Sequence, residues 1–440
     1  MRLLPVVLGL AAATPLFAGT LVEKVRAYRT AREQALVAEY RDFVSIPNVS
    51  GDQANVRKNA EFIVALMKAR GIEAELLEGE TSATNPAVFG EITAPGATTT
   101  VVYYAHYDGQ PVNPAQWAPG LHPFKPVFLT APVERGGKIV DWQPGQPIDP
   151  TWRLSGRGAA DDKAGVYAII NAYDALTKTG HRPTVNVKFF FEGEEEIGST
   201  HLRELLRKHR AKLQSDLWII CDGPRHASGR KVVSFGVRGD VNMDLTVYAA
   251  KRPLHSGNYG NWAPNPALRL VSLLASMKDD NGRVLVEGYD DDSVQFSETE
   301  RIAVREASFA DDDLMKELGL NQAEVPGRSL LESFELPTLN INGIQSANVG
   351  RLAANIIPAS ARVTLDLRLV LGNDWRRQVG RVVDHIKAQG WHVLDREPTD
   401  EERLAHPKLV KVEVGKGYNA QRTLMNLPIA QKVIAAVQST

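Results

Sequence analysis

The sequence predicts an α/β fold: a mostly parallel sheet with helices on both faces. Short apolar runs of strand length alternate with helix-length amphipathic segments up to about Val237, and this alternation is typical of parallel sheets. Three of the apolar runs also stop at residues that can bind a metal ion. The predicted helices of this part are residues 21–44, 56–70 and 163–179, and the strands that carry the argument are 101–105, 185–191 and 217–221.

A second domain is predicted from the order of elements after Gly239. That order, β-α-β-β-α-β, is the split ferredoxin-like arrangement, an α+β unit inserted into the first domain. Its elements are strands 241–249, 337–342, 361–370 and 391–394, helices 265–277 and 375–388, and an inner insertion at 279–334. Beyond Glu397 we expect the chain to return to the first domain, with a strand at 410–414 and a helix at 427–437. The predicted domains are therefore 21–237, 238–394 and 395–440, the third completing the first.

The N-terminus has the pattern of a secretory signal peptide. A positive start at Arg2, an apolar stretch at residues 3–13 and small residues up to Ala18 predict a leader over residues 1–18, cleaved near Ala18. A short buried helix is the alternative. The leader predicts a secreted or periplasmic protein, and the formal net charge of −1 gives no reason to expect a nucleic acid or an anionic membrane as a partner.

The residues that end the three apolar runs carry the chemistry. Because ligands gather at the carboxyl ends of parallel strands, one imidazole and several carboxylates should meet at one sheet edge. The residues are His106 and Asp108 after the first run, Glu192 to Glu196 after the second, Asp222 after the third, and Asp161 and Asp162 in a glycine-rich segment. Histidine with carboxylates is the ligand set of a catalytic zinc site.

Each of these signals is weak alone. A single histidine after a strand is usually structural, an acidic run is usually a solvated helix N-terminus, and Asp222 alone suits a turn. Taken together, the types fit a two-metal hydrolase. Such a site needs a carboxylate that bridges the ions, a hydroxide between them and a separate carboxylate as general base. Asp108 has the spacing to orient the imidazole of His106 from behind.

Four motifs resemble the M20 metallopeptidases, most closely the carnosinase-like dipeptidase branch, and their order matches from about residue 36 to 427. The motifs are His106-x-Asp108, Gly156-Arg157-Gly158-x-x-Asp161-Asp162-Lys163-x-Gly165, Glu192-Gly193-x-Glu195-Glu196-x-Gly198-Ser199 and Leu254-His255-Ser256-Gly257. The resemblance implies a di-zinc exopeptidase-like catalytic domain with a lid that forms a homodimer. It also implies hydrolysis of dipeptides or small peptides by a metal-bound hydroxide.

The resemblance assigns roles in the first domain. His106 and Asp222 would bind one zinc ion, and Asp161 would bridge the pair, with the peptide bond after it in cis. Glu196 would bind the second ion, and Glu195 would be the general base. Glu194 is an additional acid where the family often has a neutral residue, so a slip of one position is an alternative that Gly198-Ser199 argues against.

Three further roles fall in the lid. His255 resembles the histidine that reaches the partner subunit's site and polarises the scissile carbonyl. Arg368 matches the arginine that binds the substrate carboxylate, and Asn355 resembles a substrate-contacting position. The alternatives are a turn histidine, a surface arginine and a turn asparagine.

One departure from the family leaves the function open. The family takes its last zinc-binding histidine from a segment near its C-terminus, and no histidine here matches it by position, His385, His392 and His406 included. We therefore expect a chain truncated relative to the family, with an incomplete second zinc site. The competing functions are an amidase or deacylase of N-acyl amino acids and an inactive dimeric binding protein.

Overall fold

A computed structural model describes residues 20–81, 83–223, 229–308 and 311–439 of the chain. It divides into two compact units, Met1–Pro224 and Arg225–Thr440. The predicted signal peptide, residues 1–18, lies outside the described residues. Among the residues that are described, no helix combines the length and apolar character needed to cross a bilayer.

The described residues of the first unit form four α-helices and eight strands. The helices are α1 (Leu21–Ser45), α2 (Gln53–Ala69), α3 (Lys163–Lys178) and α4 (Leu202–Lys208). The strands are β1 (Glu73–Leu77), β2 (Ala87–Ile92), β3 (Thr100–His106), β4 (Val127–Leu129), β5 (Ile139–Val140), β6 (Arg153–Ser155), β7 (Asn186–Glu192) and β8 (Leu217–Ile220).

The main sheet of this unit has the order β1-β2-β7-β3-β8. Strand β3 runs parallel to both β7 and β8, whereas β1 and β2 are antiparallel additions at one edge. The three strands predicted to end at the site are therefore neighbours, and the prediction is confirmed. Their carboxyl ends meet at one edge of the sheet.

Both faces of this sheet are covered. Helices α1, α2 and α3 pack on a core that includes Ile63, Ile170 and Phe189. The opposite face packs Val102 and Phe190 against Leu205 of α4. Successive phenylalanines of β7 point to opposite faces because strand side chains alternate, which explains why that run is apolar throughout. Residues 127–155 form a separate small sheet, in the order β5-β4-β6.

The second unit contains nine strands and eight helices in its described residues. The strands are β9 (Gly236–Val237), β10 (Gly239–Tyr248), β11 (Leu254–His255), β12 (Thr338–Gln345), β13 (Ile356–Ile357), β14 (Ser360–Leu369), β15 (His392–Leu394), β16 (Leu409–Val414) and β17 (Gln421–Arg422). The helices are α5 (Ser256–Tyr259), α6 (Pro266–Met277), α7 (Glu298–Ala307), α8 (Asp311–Leu318), α9 (Leu330–Ser333), α10 (Trp375–Ala388), α11 (Asp400–Ala405) and α12 (Pro428–Gln438).

The sheet of the second unit has the order β12-β14-β10-β16-β15. Its core contains apolar side chains of β10, β14, α6 and α10, including Leu245, Leu365, Leu273 and Ile386. The elements follow the predicted β-α-β-β-α-β order, and α7, α8 and α9 occupy the predicted insertion.

The sequence predicts that the chain returns to the first domain after residue 394. For the strand predicted at 410–414 this prediction is wrong. Strand β16 pairs with β10, and Val410 and Val412 lie in the core of the second unit. The short strand predicted at 391–394 is β15, which pairs with β16 and not with β10. Alternating burial explains this result, because Val410 and Val412 place two apolar side chains on the same face as those of β10.

Replacing Val410 by Ala should therefore destabilise the second unit. The side chain is fully buried beside β10, and losing much of a buried valine costs about 2 kcal/mol. Urea unfolding measures the loss. The control is Glu413→Ala on the same strand, whose side chain is 56% exposed and whose replacement should change stability by less than about 0.5 kcal/mol. Equal stability of the two variants would contradict the placement of β16.

Candidate metal centre

The site is built around His106, the last residue of β3. Its side chain is fully buried, and its backbone pairs in register with Glu192 at the end of β7. The ring Nε2 lies 2.9 Å from Oδ1 of Asp161, 3.8 Å from Oδ2 of Asp222 and 3.9 Å from Oε2 of Glu195. The structure thus brings together the imidazole and three of the predicted carboxylates.

Two aspartates approach His106 from the start of α3. The peptide bond between Asp161 and Asp162 is cis, which confirms the expectation drawn from the resemblance. Asp162 caps the helix, because its Oδ1 accepts a hydrogen bond from the Gly165 amide, and its Oδ2 accepts one from the His106 amide. Asp161 has no such cap role, and its exposed side chain faces the imidazole.

The three consecutive glutamates have different surroundings. Glu194 is buried, and its carboxylate accepts hydrogen bonds from the amides of Asn85 and His201. Glu195 faces His106, and Oε2 of Glu196 accepts a hydrogen bond of 2.6 Å from Nε2 of Gln110. Glu194 is thus occupied by structural partners, whereas the next two residues, which begin a 3-10 turn, point toward the site.

Asp108 connects the imidazole to the glutamate turn, the 3-10 turn Glu195–Ile197. Its Oδ1 lies 3.3 Å from Nδ1 of His106 and accepts a hydrogen bond of 3.2 Å from the Glu195 amide. Its Oδ2 accepts hydrogen bonds from the Glu196 amide and from the hydroxyl of Ser50. One fully buried carboxylate therefore contacts both the histidine and the backbone of the two glutamates.

Burial and charge shift the proton affinities of this cluster. Burial raises the pKa of Glu195 and of Asp222, and it raises the pKa of Asp162 to about 7. Burial alone would lower the pKa of His106, but Asp108 and the nearby Asp222 and Asp162 raise it to about 10. One imidazole among several carboxylates is an environment that favours a cation.

The donor atoms fit a metal ion. Two overlapping groups have ligand atoms within 4.8 Å of one another: His106, Asp161 and Glu196, and His106, Asp162 and Asp222. All four predicted metal ligands occur in these groups. Imidazole and carboxylate oxygens suit zinc and similar divalent ions.

The sequence assigned no role to several residues that shape the centre. Asp162 is among the acidic residues expected at the sheet edge but received no role of its own, although an aspartate directly before a helix signals a cap. Gln110, Ser50 and Asn85 are polar residues in loops, and nothing in the local pattern assigns them partners. Their contacts arise only when distant loops meet at the sheet edge.

The other predicted site residues belong to the second unit. His255 ends β11, and its Nδ1 accepts a hydrogen bond of 3.1 Å from the Gly257 amide, so a neutral ring carries its proton on Nε2. The carbonyl of Asn355 accepts a hydrogen bond from the Ser256 amide, which brings Asn355 beside His255.

Arg368, on β14, has a side chain that is 44% exposed. Its Nε lies 3.1 Å from Oδ1 of Asp366 and 3.7 Å from Oδ1 of Asp240. The guanidinium therefore already has two carboxylate neighbours.

The three histidines that do not match the family's last zinc ligand by position also lie in the second unit and make contacts there. Nε2 of His385 is 2.9 Å from the hydroxyl of Ser276. His392 and His406 stack with ring centroids 3.7 Å apart.

Known proteins share this sequence pattern and fold. The chain is 29% identical over 358 residues to the Cys-Gly metallodipeptidase dug1 of Schizosaccharomyces pombe, covering 78% of this chain and 71% of that protein. It is 26% identical over 392 residues to the Beta-Ala-His dipeptidase of Mus musculus, covering 83% of this chain and 74% of that protein. The structure resembles that of the M20 family metallo-carboxypeptidase Sso-CP2 from Sulfolobus solfataricus, with a TM-score of 0.69 and 25% identity over 92% of this chain and 83% of that one.

The family to which the chain belongs is shown by a match along most of its length. The sequence model described as peptidase family M20/M25/M40 matches residues 102–440, which include all four predicted metal ligands. The relatives are named as dipeptidases and metallopeptidases. This chain therefore belongs to peptidase family M20/M25/M40 and is a metallopeptidase.

Proposed function

We propose that this chain hydrolyses the amide bond of dipeptides or other small peptides with two zinc ions. The observation that carries the proposal is that the three consecutive glutamates have different surroundings. Glu195 and Glu196 face the cluster around His106, whereas Glu194 is held by Asn85 and His201. The names of the Cys-Gly and Beta-Ala-His dipeptidases support a small peptide as the substrate.

The residues divide into ligands and proton carriers. His106, Asp161 and Asp222 would hold one ion. Asp161 and Glu196 would hold the other, whose ligand set is incomplete, as expected from the sequence. The bound zinc supplies a Lewis acid that polarises the scissile carbonyl and lowers the pKa of water. Glu195 would accept a proton from the attacking water and pass it to the leaving amine. Its partial burial, which raises its pKa, suits this exchange.

The second unit would supply substrate contacts. Because Nδ1 of His255 accepts the Gly257 amide, Nε2–H is the free donor, and it would donate to the scissile carbonyl oxygen in the partner subunit's site. Arg368 would bind the peptide carboxylate, and Asn355 would contact the substrate beside His255.

The proposal extends to assembly and location. The second unit would form the homodimer, and exposed apolar side chains there suit an interface, among them Trp262 at 79% and Leu268 at 68% exposure. The leader-like residues 1–18 support a secreted or periplasmic location.

Metal analysis combined with a substrate panel tests the function. The panel contains Cys-Gly, β-Ala-His, other dipeptides and N-acetyl amino acids, each assayed with the zinc-loaded protein and after chelation. We expect zinc-dependent turnover of dipeptides. Turnover of only the N-acetyl amino acids would identify an amidase. Binding of these compounds without turnover of any of them would identify an inactive binding protein.

Replacing the glutamates separately should distinguish their roles. Glu195→Gln should lower kcat by about 10²–10⁴-fold with metal content unchanged, because it removes the proton carrier and no ligand. Glu196→Gln should lower the zinc content, measured by elemental analysis of the dialysed protein. Glu194→Ala is the control for the assignment of these roles along the chain, because Glu194 has structural partners and is given neither role. Loss of metal in Glu195→Gln with retention in Glu196→Gln would show that the assignment is off by one position.

Replacing His255 by Ala should lower kcat by about 10²–10³-fold without releasing metal, since one donor to the developing oxyanion is removed. If this histidine acts across a dimer, a heterodimer of His255→Ala and Glu195→Gln subunits has one complete site. Mixed, separately tagged subunits purified as heterodimers should therefore regain activity. Purified heterodimers that stay as inactive as the parents would contradict the action in trans.

A further inference from the structure

The hydroxyl of Ser50 contacts the carboxylate that organises the metal centre. Ser50 lies in the loop between α1 and α2 and is 2% exposed. Its Oγ is 2.7 Å from Oδ2 of Asp108 and 3.0 Å from the carbonyl oxygen of Gly109. A hydroxyl that donates to an ionised carboxylate forms a charge-assisted hydrogen bond, stronger than a bond between neutral groups.

The backbone of Ser50 is anchored independently of this hydroxyl. Its amide donates to the Gly109 carbonyl at 3.0 Å, and its carbonyl accepts from Nδ2 of Asn85 at 3.0 Å. The neighbouring Val49 forms a β-bridge with Gly109. Removing the hydroxyl therefore leaves the loop attached to the end of β3.

The two possible acceptors of the Ser50 hydroxyl differ in the hydrogen bonds that they keep when the hydroxyl is removed. The Gly109 carbonyl keeps the Ser50 amide as a donor when the hydroxyl is absent. Oδ2 of Asp108 keeps only the Glu196 amide. A fully buried carboxylate that loses a donor is less well held, and reorientation would disturb its contacts with the Glu195 amide and the His106 ring.

We infer that Ser50 is a positioning residue for the peptidase reaction: its hydroxyl fixes the orientation of Asp108, and Asp108 in turn fixes the glutamate turn and the imidazole. The inference rests on the proposed function and deepens it. Ser50 touches no proposed ligand atom and acts only through Asp108.

Three variants of the zinc-loaded protein test this inference. Ser50→Ala removes the hydroxyl, Ser50→Thr keeps it, and Ser45→Ala removes an exposed hydroxyl that bonds only to its own helix. The readouts are amide hydrogen exchange of a peptide covering the glutamate turn, kcat and KM on the best dipeptide, and the melting temperature.

In Ser50→Ala, the amides of Glu195 and Glu196 should exchange faster than in the wild type, and kcat should fall by about 10–100-fold at nearly constant KM. Exchange elsewhere in the first unit should stay unchanged. Ser50→Thr should restore both values toward the wild type, and Ser45→Ala should match the wild type throughout.

Two results would overturn the inference. One is a Ser50→Ala variant with wild-type exchange in the glutamate turn and wild-type kcat. The other is faster exchange across the whole first unit with a lower melting temperature, which would show that the hydroxyl supports only the fold. A wild type that hydrolyses no dipeptide would refute the proposed function, and the exchange comparison would still decide whether Ser50 holds the turn.

Discussion

The metal centre depends on the burial of one carboxylate, that of Asp108. A buried carboxylate is unfavourable unless several donors satisfy it, and here three donors come from two separate parts of the chain. The amides of Glu195 and Glu196 and the hydroxyl of Ser50 all point at its two oxygens, and the His106 ring lies against it. Because these contacts all meet at the Asp108 carboxylate, they couple the histidine to the glutamate turn. A shift of either one would leave this buried carboxylate without one of its partners.

The sheet makes this coupling possible. Strand β3 lies between β7 and β8, and all three are parallel, so their last residues reach the same edge. Helix α3 begins at this edge, and Asp162, its capping residue, also accepts the amide of His106. Backbone amides position Asp108, Asp162 and Glu194. The carboxylates of Asp161, Glu195 and Glu196 are thereby left to face ions, water and substrate.

Much of this arrangement could be predicted from the sequence, because it follows from local pattern. The apolar runs that end at His106, Glu192 and Asp222 predicted both the strands and their common edge. The cis bond after Asp161 was implied by the resemblance and not by any local rule. Contacts of Ser50, Asn85 and Gln110 could not be predicted, since each joins loops separated by many residues and leaves no periodic signal.

The placement of β16 shows a different limit. The predicted β-α-β-β-α-β order ended the second domain with the strand directly after α10, at residue 394. The chain instead forms α11 and then returns a longer strand, whose Val410 and Val412 complete the core. Burial of apolar area outweighed sequence proximity, and a three-residue strand such as β15 cannot supply that area.

The surroundings of Arg368 bear on how a substrate would be held in the proposed reaction. The guanidinium lies beside Asp366 and Asp240, so a peptide carboxylate would share its charge with two existing partners. Such sharing weakens the attraction for any one anion, because each partner carboxylate partly neutralises the cation. An arginine in this setting would orient a carboxylate without holding it tightly. That balance suits an enzyme whose amino acid product retains the same carboxylate and must leave after each turnover.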